Sequence, residues 1–185
     1  MNALILIGGQ SSRMGSDKSL LHYHGKPQRE YLFDMAAKFC TEVYFSCRAD
    51  QRIIAPHIID KYLLGPMGGI LSAFEHNKNV AWLVLACDMP LINEAHFEAL
   101  IKNRNPEKTA TAFFNSDTNA PDPLFAIYEP KAFDSLLSYI NSGNKSPKKF
   151  LQSTDIQLVV KENVDFLQNI NTQEAFEQTI SQISS

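Results

Sequence analysis

The run from Ala3 to Ile7 is continuously apolar and ends at a glycine pair, Gly8 and Gly9. A strand without polar alternation has to be buried on both faces, which is the condition of a strand inside a parallel sheet covered by helices. The rest of the chain repeats that demand. Apolar positions Tyr31, Leu32, Met35, Ala36 and Phe39 recur at helical spacing behind Pro27, and strands are expected at Val43–Cys47 and Ala81–Ala86. A helix through Leu71, Ser72 and Phe74 lies between those strands, led in by the glycine-rich segment Gly65 to Gly69. Further on, the pattern predicts a helix over Glu94–Ile101, strands at Thr109–Phe114 and Leu124–Tyr128, and a helix over Pro130–Ile140. A short helix opens at Pro147, a strand follows at Ile156–Val160, and a last helix runs over Thr172–Ile183. The polar, proline-bearing segment Asn115 to Pro123 reads as a loop.

This alternation predicts an α/β protein: one Rossmann-like domain over residues 1–185, with a mainly parallel central sheet and helices on both faces. A chain of this length buries roughly 70% of its unfolded surface, enough for one sizeable core. The apolar runs are too short to span a bilayer, and the amino-terminal run lacks a basic leader and a cleavage site, so neither membrane insertion nor secretion is expected. Cys40, Cys47 and Cys87 are an odd set without close spacing, read as reduced thiols in a cytoplasm. A net charge of −3 gives no long-range attraction for nucleic acid. Lys145, Lys148 and Lys149 form the one basic cluster, either a solvated helix start or a phosphate contact.

Ligands of open α/β sheets sit at the carboxyl ends of the strands, so the loops after Ile7, Ile59 and Cys87 are the ones to examine. The first reads GGQSSRMGSDKS, from Gly8 to Ser19. Adjacent glycines permit close backbone approach, and Arg13 and Lys18 add positive charge suited to a triphosphate or a departing pyrophosphate. Neither the dinucleotide fingerprint nor the P-loop spacing is present. In the third loop, ACDMP, Asp88 directly follows a buried strand and is either a Mg²⁺ ligand or a turn former ahead of Pro90. In the middle loop, Asp60 and Gly65–Gly69 suit a base or ribose, or a plain glycine-rich helix start. The five histidines are scattered and are assigned to surface or packing roles.

In order, LILIGGQSSRMGSDK, GPMGG and ACDMP resemble the MobA-type molybdenum cofactor guanylyltransferases, within the nucleotidyltransferases that include sugar-phosphate pyrophosphorylases and share the nucleotide-diphospho-sugar transferase fold. The likeness extends through GKPQREYLFD, DPLFAIYEP, SPKKFL and FLQNINTQEAF. It implies that Leu6, Ile7, Gly8 and Gly9 lie along the nucleotide and that Lys18 contacts its phosphates. It further implies that Asp60 and the loop carrying Gly65, Pro66, Gly68 and Gly69 lie by the guanine, that Asp88 ligates Mg²⁺, and that Asn169 and Asn171 lie near the cofactor phosphate or metal. Ser46, Cys47 and Arg48 stand where the family often has Asn, and Gln173 where Pro is usual.

The implied reaction joins GMP from GTP to molybdopterin, with or without molybdenum, and releases pyrophosphate. Lys18, Arg13 and Asp88 are its catalytic candidates, and transient contact with molybdoenzymes or cofactor-biosynthesis proteins is allowed. A cytidylyltransferase, a sugar-phosphate nucleotidyltransferase and a non-catalytic cofactor carrier are the alternatives.

Overall fold

The computed structural model of the protein describes residues 1–7, 18–51, 53–170 and 172–183, with the backbone alone for Lys18 and Gln173. The elements follow in the order β1 (Asn2–Leu6), α1 (Gln28–Ala37), β2 (Val43–Cys47), β3 (His57–Ile59), α2 (Pro66–His76), β4 (Trp82–Ala86) and α3 (Glu94–Lys102). They continue as β5 (Ala110–Asn115), β6 (Ala120–Tyr128), α4 (Ala132–Asn141), α5 (Pro147–Ser153), β7 (Ile156–Val159) and α6 (Gln173–Ile183). Among the described residues, seven strands make one sheet in the order β3-β2-β1-β4-β6-β5-β7. Pairing is parallel throughout except where β6 runs against both β4 and β5.

Burial explains the lack of alternation in the central strands. Ala3, Leu4 and Ile5 of β1 and Trp82 to Leu85 of β4 are fully buried, because helices cover both faces. On one face Ala3, Ile5, Leu83 and Leu85 pack with Leu32 and Ala36 of α1 and with Phe97 and Leu100 of α3. On the other, Leu4, Trp82 and Val84 pack with Met67, Ile70 and Phe74 of α2, Leu136 of α4 and Phe150 of α5. The connections turn back at β1: the chain goes outward through β2 and β3, then crosses to β4 on the other side. The carboxyl ends of β1 and β4 therefore flank a topological switch point, where such sheets open a crevice.

One expected loop is strand instead. Within Asn115–Pro123, β5 runs on to Asn115 and β6 begins at Ala120, paired as Phe114 with Pro121 and Asn115 with Ala120. The turn is held by Asn115 Oδ1, which accepts from the N–H groups of Asp117 (3.0 Å) and Thr118 (3.2 Å), and it closes through Asn119 at φ 48°. Two prolines in a strand suggested a loop, but the register shifts between Ala112 and Phe114, and such an irregularity is where a strand tolerates proline. The glycine-rich lead also differs: α2 starts at Pro66, so Gly68 and Gly69 form its first turn.

Lys145, Lys148 and Lys149 are exposed around the start of α5, where Ser146 accepts from the Lys149 N–H at 3.3 Å. At the opposite edge of the sheet, Arg104 holds Glu129 by two bonds of 2.7 and 2.8 Å, with the Glu129 side chain only 1% exposed. Cutting one half of such a pair leaves a buried charge, so Arg104→Ala is expected to lose about 3 kcal/mol of unfolding free energy, read from urea denaturation.

Candidate active site

The first strand ends on a network that ties three loops together. Ile7 N–H donates to Ser46 O at 3.1 Å, Cys87 N–H to Leu6 O at 3.4 Å, and Asp60 N–H to Cys47 O at 2.8 Å. Leu6, Ile7, Asp60 and Asp88 are thereby fixed along one edge of the sheet.

On the α2 side of that edge, close approach is built from glycines. Gly65 precedes the helix at φ 63°, a left-handed conformation that glycine adopts without strain, and Pro66 fills the first helical position where a missing N–H costs nothing. A Cβ at Gly68 would lie 2.5 Å from Asp60 Oδ1, and one at Gly69 would lie 2.6 Å from Ser46 Oγ and 2.9 Å from Leu6 Cδ2. Asp60 Oδ1 also accepts from the N–H groups of Tyr62 (2.9 Å) and Leu63 (3.0 Å), which fixes the carboxylate, while Leu63 is held at φ 54°. A left-handed non-glycine residue costs of order 1 kcal/mol, and this one sits directly beside the candidate base site.

Asp88 stands just past β4, partly exposed, and its carbonyl accepts from Ile170 N–H at 2.9 Å. That bond brings the exposed Asn169 alongside the same loop. The β4–β6 pairing ends with Leu85 against Phe125, and beyond it Asp88 lies near enough to Asp122 for its charge to act on that carboxyl. Asp122 is buried, its Oδ1 accepting from the N–H groups of Leu124 (2.9 Å) and Phe125 (3.0 Å). Burial pushes the Asp122 carboxyl above the ordinary carboxylate range, the two backbone N–H groups pull the other way, and the nearby Asp88 charge raises it further. Tyr23, buried edge-on against Phe176 of α6 at 4.9 Å, is pushed up to about 12 by burial and then by Asp88 and Cys87.

Leu6, Ile7, Asp60, Gly65, Pro66, Gly68, Gly69, Asp88 and Asn169 thus share one edge. Lys18 opens a short 3-10 turn, Lys18–Leu20, that packs against α1. Gly8, Gly9, Arg13 and Asn171, together with the Lys18 side chain, lie outside the described residues. Asp122 and Tyr23 were not anticipated. Asp122 was hidden by reading its segment as loop, and the signal that finds it is antiparallel pairing of β6 with β4. Among the described residues, no three His, Cys, Asp or Glu side chains converge on a metal cage. A divalent cation here would rest on one or two carboxylates completed by substrate oxygens.

Two histidines are packed on rings: His24 stacks on Tyr31 at 3.7 Å, and His96 stacks on Phe166 at 3.9 Å while its Nδ1 accepts from Asn93 N–H at 3.2 Å. Burial, followed by Lys161, lowers His96 to about 4. No disulfide joins the cysteines among the described residues, and burial pushes Cys40 up to about 11. A cavity of about 740 Å³ lies behind the Asp88 loop, lined by His24, Tyr31, His96 and Phe166 and by none of the candidate nucleotide residues.

A reversed strand beside the switch point, with a strand-end aspartate facing a glycine-opened helix, defines a nucleotidyltransferase-like α/β protein. Residues 3–158 match the MobA-like NTP transferase domain, and the chain belongs to that family. It is 37% identical over 181 residues to a molybdenum cofactor biosynthesis bifunctional protein of Synechocystis sp., covering 95% of this chain and 52% of that one, so it spans about half of that relative's length. It is 29% identical over 182 residues to a probable molybdenum cofactor guanylyltransferase of Trichormus variabilis, with 94% and 87% covered. The crystal structure of molybdopterin-guanine dinucleotide biosynthesis protein A from Archaeoglobus fulgidus superposes with a TM-score of 0.79 at 22% identity, covering 100% of this chain and 99% of that one, which shows the shared fold.

Gly68→Ala forces a methyl group into the Asp60 carboxylate. The helix itself gains up to about 1 kcal/mol of propensity, so the expected outcome is a folded protein whose nucleotide affinity drops about tenfold, measured by calorimetric titration.

Proposed function

We propose that this chain is a molybdenum cofactor guanylyltransferase, which transfers GMP from GTP to molybdopterin or its molybdenum-loaded form. The observation that carries the reading is that Asp88 and the glycine-backed Asp60 stand at the same edge of the sheet, on a chain of the MobA-like NTP transferase family. An oxygen of the acceptor's terminal phosphate forms a bond to the α-phosphorus of GTP while the bond from that phosphorus to the α,β-bridging oxygen breaks, and pyrophosphate leaves with that electron pair. The attacking group is already an anion, so positioning and charge stabilisation suffice without a protein nucleophile.

Asp60, fixed against Gly68, would accept hydrogen bonds from the guanine, with Leu6, Ile7, Gly8, Gly9, Gly65, Pro66 and Gly69 lining the nucleotide. Lys18 and Arg13 would stabilise the departing pyrophosphate. Asn169 and Asn171 would meet the acceptor phosphate, with Asn169 adjoining Ile170 and its bond to Asp88. The site residues fit Mg²⁺, because Asp88 and Asp122 offer hard oxygen donors and the buried Asp122 carboxylate gains from a neighbouring cation. Asp88 would hold the ion, whose charge would offset repulsion between two anionic substrates. Cysteines that form no disulfide fit a reducing cytoplasm, and no described helix is long and apolar enough to cross a membrane.

The test is incubation with each NTP in turn plus molybdopterin, scored for dinucleotide and pyrophosphate. Product from GTP supports the reading. Product from CTP, or from a sugar phosphate as acceptor, would reassign the substrate, and GTP binding without pyrophosphate release would make the chain a carrier. Asp88→Asn and Lys18→Ala are each expected to lower turnover by about 10²–10³-fold with the fold retained, and near-normal turnover in a well-folded Lys18→Ala protein counts against its assignment.

A further inference from the structure

The peptide that follows Asp88 is buried, with Met89 1% and Ile92 0% exposed, so its carbonyls need partners from elsewhere. They find them on the first helix and its lead-in. Gln28 Nε2 faces Met89 O at 3.5 Å, His24 Nε2 bonds Pro90 O at 2.9 Å, and the Tyr31 hydroxyl donates to Ile92 O at 3.2 Å. The His24 and Tyr31 rings stack at 3.7 Å with 13° between their planes, so two of these donors brace each other. With Ile170 N–H on the Asp88 carbonyl, the loop is held from two sides.

Gln28 is the informative member. The buried positions of α1 are Gln28, Leu32 and Ala36, a stripe at four-residue spacing where an aliphatic side chain would be the default. Gln28 is fully buried, yet its Oε1 has no partner among the described residues, and its one bond sits at the long limit of hydrogen-bond geometry. An orphaned buried carbonyl is a net cost to folding that an aliphatic side chain would avoid. Core stability therefore does not account for the amide. Holding the main chain beside Asp88 does.

We infer that His24, Gln28 and Tyr31 are positioning residues that set the direction of the Asp88 carboxylate by fixing the carbonyls of Met89, Pro90 and Ile92. The inference rests on the role given to Asp88 above. It concerns the supporting layer beneath a metal carboxylate, whose loss commonly costs 10- to 100-fold in metal affinity or activity.

The experiment uses the full chain carrying Gln28→Met, Tyr31→Phe or His24→Phe. Mn²⁺ binding to the protein–GTP complex is followed by electron paramagnetic resonance, alongside melting temperature and Mg²⁺ dependence of pyrophosphate release. For Gln28→Met the expected result is an unchanged or raised melting temperature, with Mn²⁺ affinity and turnover each lowered about tenfold and the GTP KM within about twofold. In an Asp88→Ala background the same substitution should add little, because both act through one carboxylate. Unaltered Mn²⁺ binding, an additive effect in that background, or unfolding of all three variants would overturn the inference, the last because it would make the three side chains structural. A wild-type protein that releases no pyrophosphate defeats the proposed reaction, while its Mn²⁺ titration still decides the positioning.

Discussion

Strand β4 lies between a parallel neighbour, β1, and an antiparallel one, β6, and the candidate chemistry follows from that asymmetry. The parallel side delivers two strand ends to the same edge, so Leu6 and Ile7 at the end of β1 and Asp88 beyond β4 emerge together at the switch point. The antiparallel side delivers the beginning of a strand to that edge instead, which is how Asp122 comes to lie near Asp88 from a distant part of the chain. Burial is the main cause of the raised Asp122 carboxyl, and repulsion from Asp88 at the same edge adds to it. A cation, a proton or an outward turn would each relieve the repulsion. The two N–H groups on Asp122 Oδ1 hold that residue in place, while the main chain after Asp88 is held by bonds from the first helix and its lead-in.

Much of this architecture was legible because burial on both faces leaves a strong mark in sequence. The central strands β1 and β4 read as unbroken apolar runs, and α1 and α3 carry helical spacing, since each has one face in the core. Legibility failed where local chemistry and tertiary pairing pull apart. Pro121, Asp122 and Pro123 all favour a turn locally, yet the pairing of β6 with β4 and β5 overrides them, helped by a register shift that accommodates the prolines. Gly68 and Gly69 likewise disfavour a helix, but Pro66 and the packing of Met67 and Ile70 against the sheet carry α2 through them.

The candidate site was legible to the extent that its residues are costly elsewhere. Asp88 after a buried strand and Asp60 before a glycine cluster are placements that a fold does not adopt for stability alone, and both occupy the shared edge. Asn169 was marked by likeness, and its nearness to Asp88 comes from one backbone bond that no periodicity encodes. Tyr23 and Asp122 gave no sign, because a buried tyrosine and an aspartate between two prolines are ordinary until the strands around them are known.

Glycines at the start of α2 exchange helix stability for proximity. A methyl at Gly68 or Gly69 would have to displace the Asp60, Ser46 or Leu6 side chain, so bare positions let the helix lie close against the sheet edge. The same contact immobilises Asp60 between the helix turn and the N–H groups of Tyr62 and Leu63. On the other side of the crevice, bonds from α1 and the Ile170 segment fix the Asp88 loop. For the proposed transfer, two prearranged walls would present a substrate with groups that need little further ordering, and a reaction without a protein nucleophile would draw its rate from that.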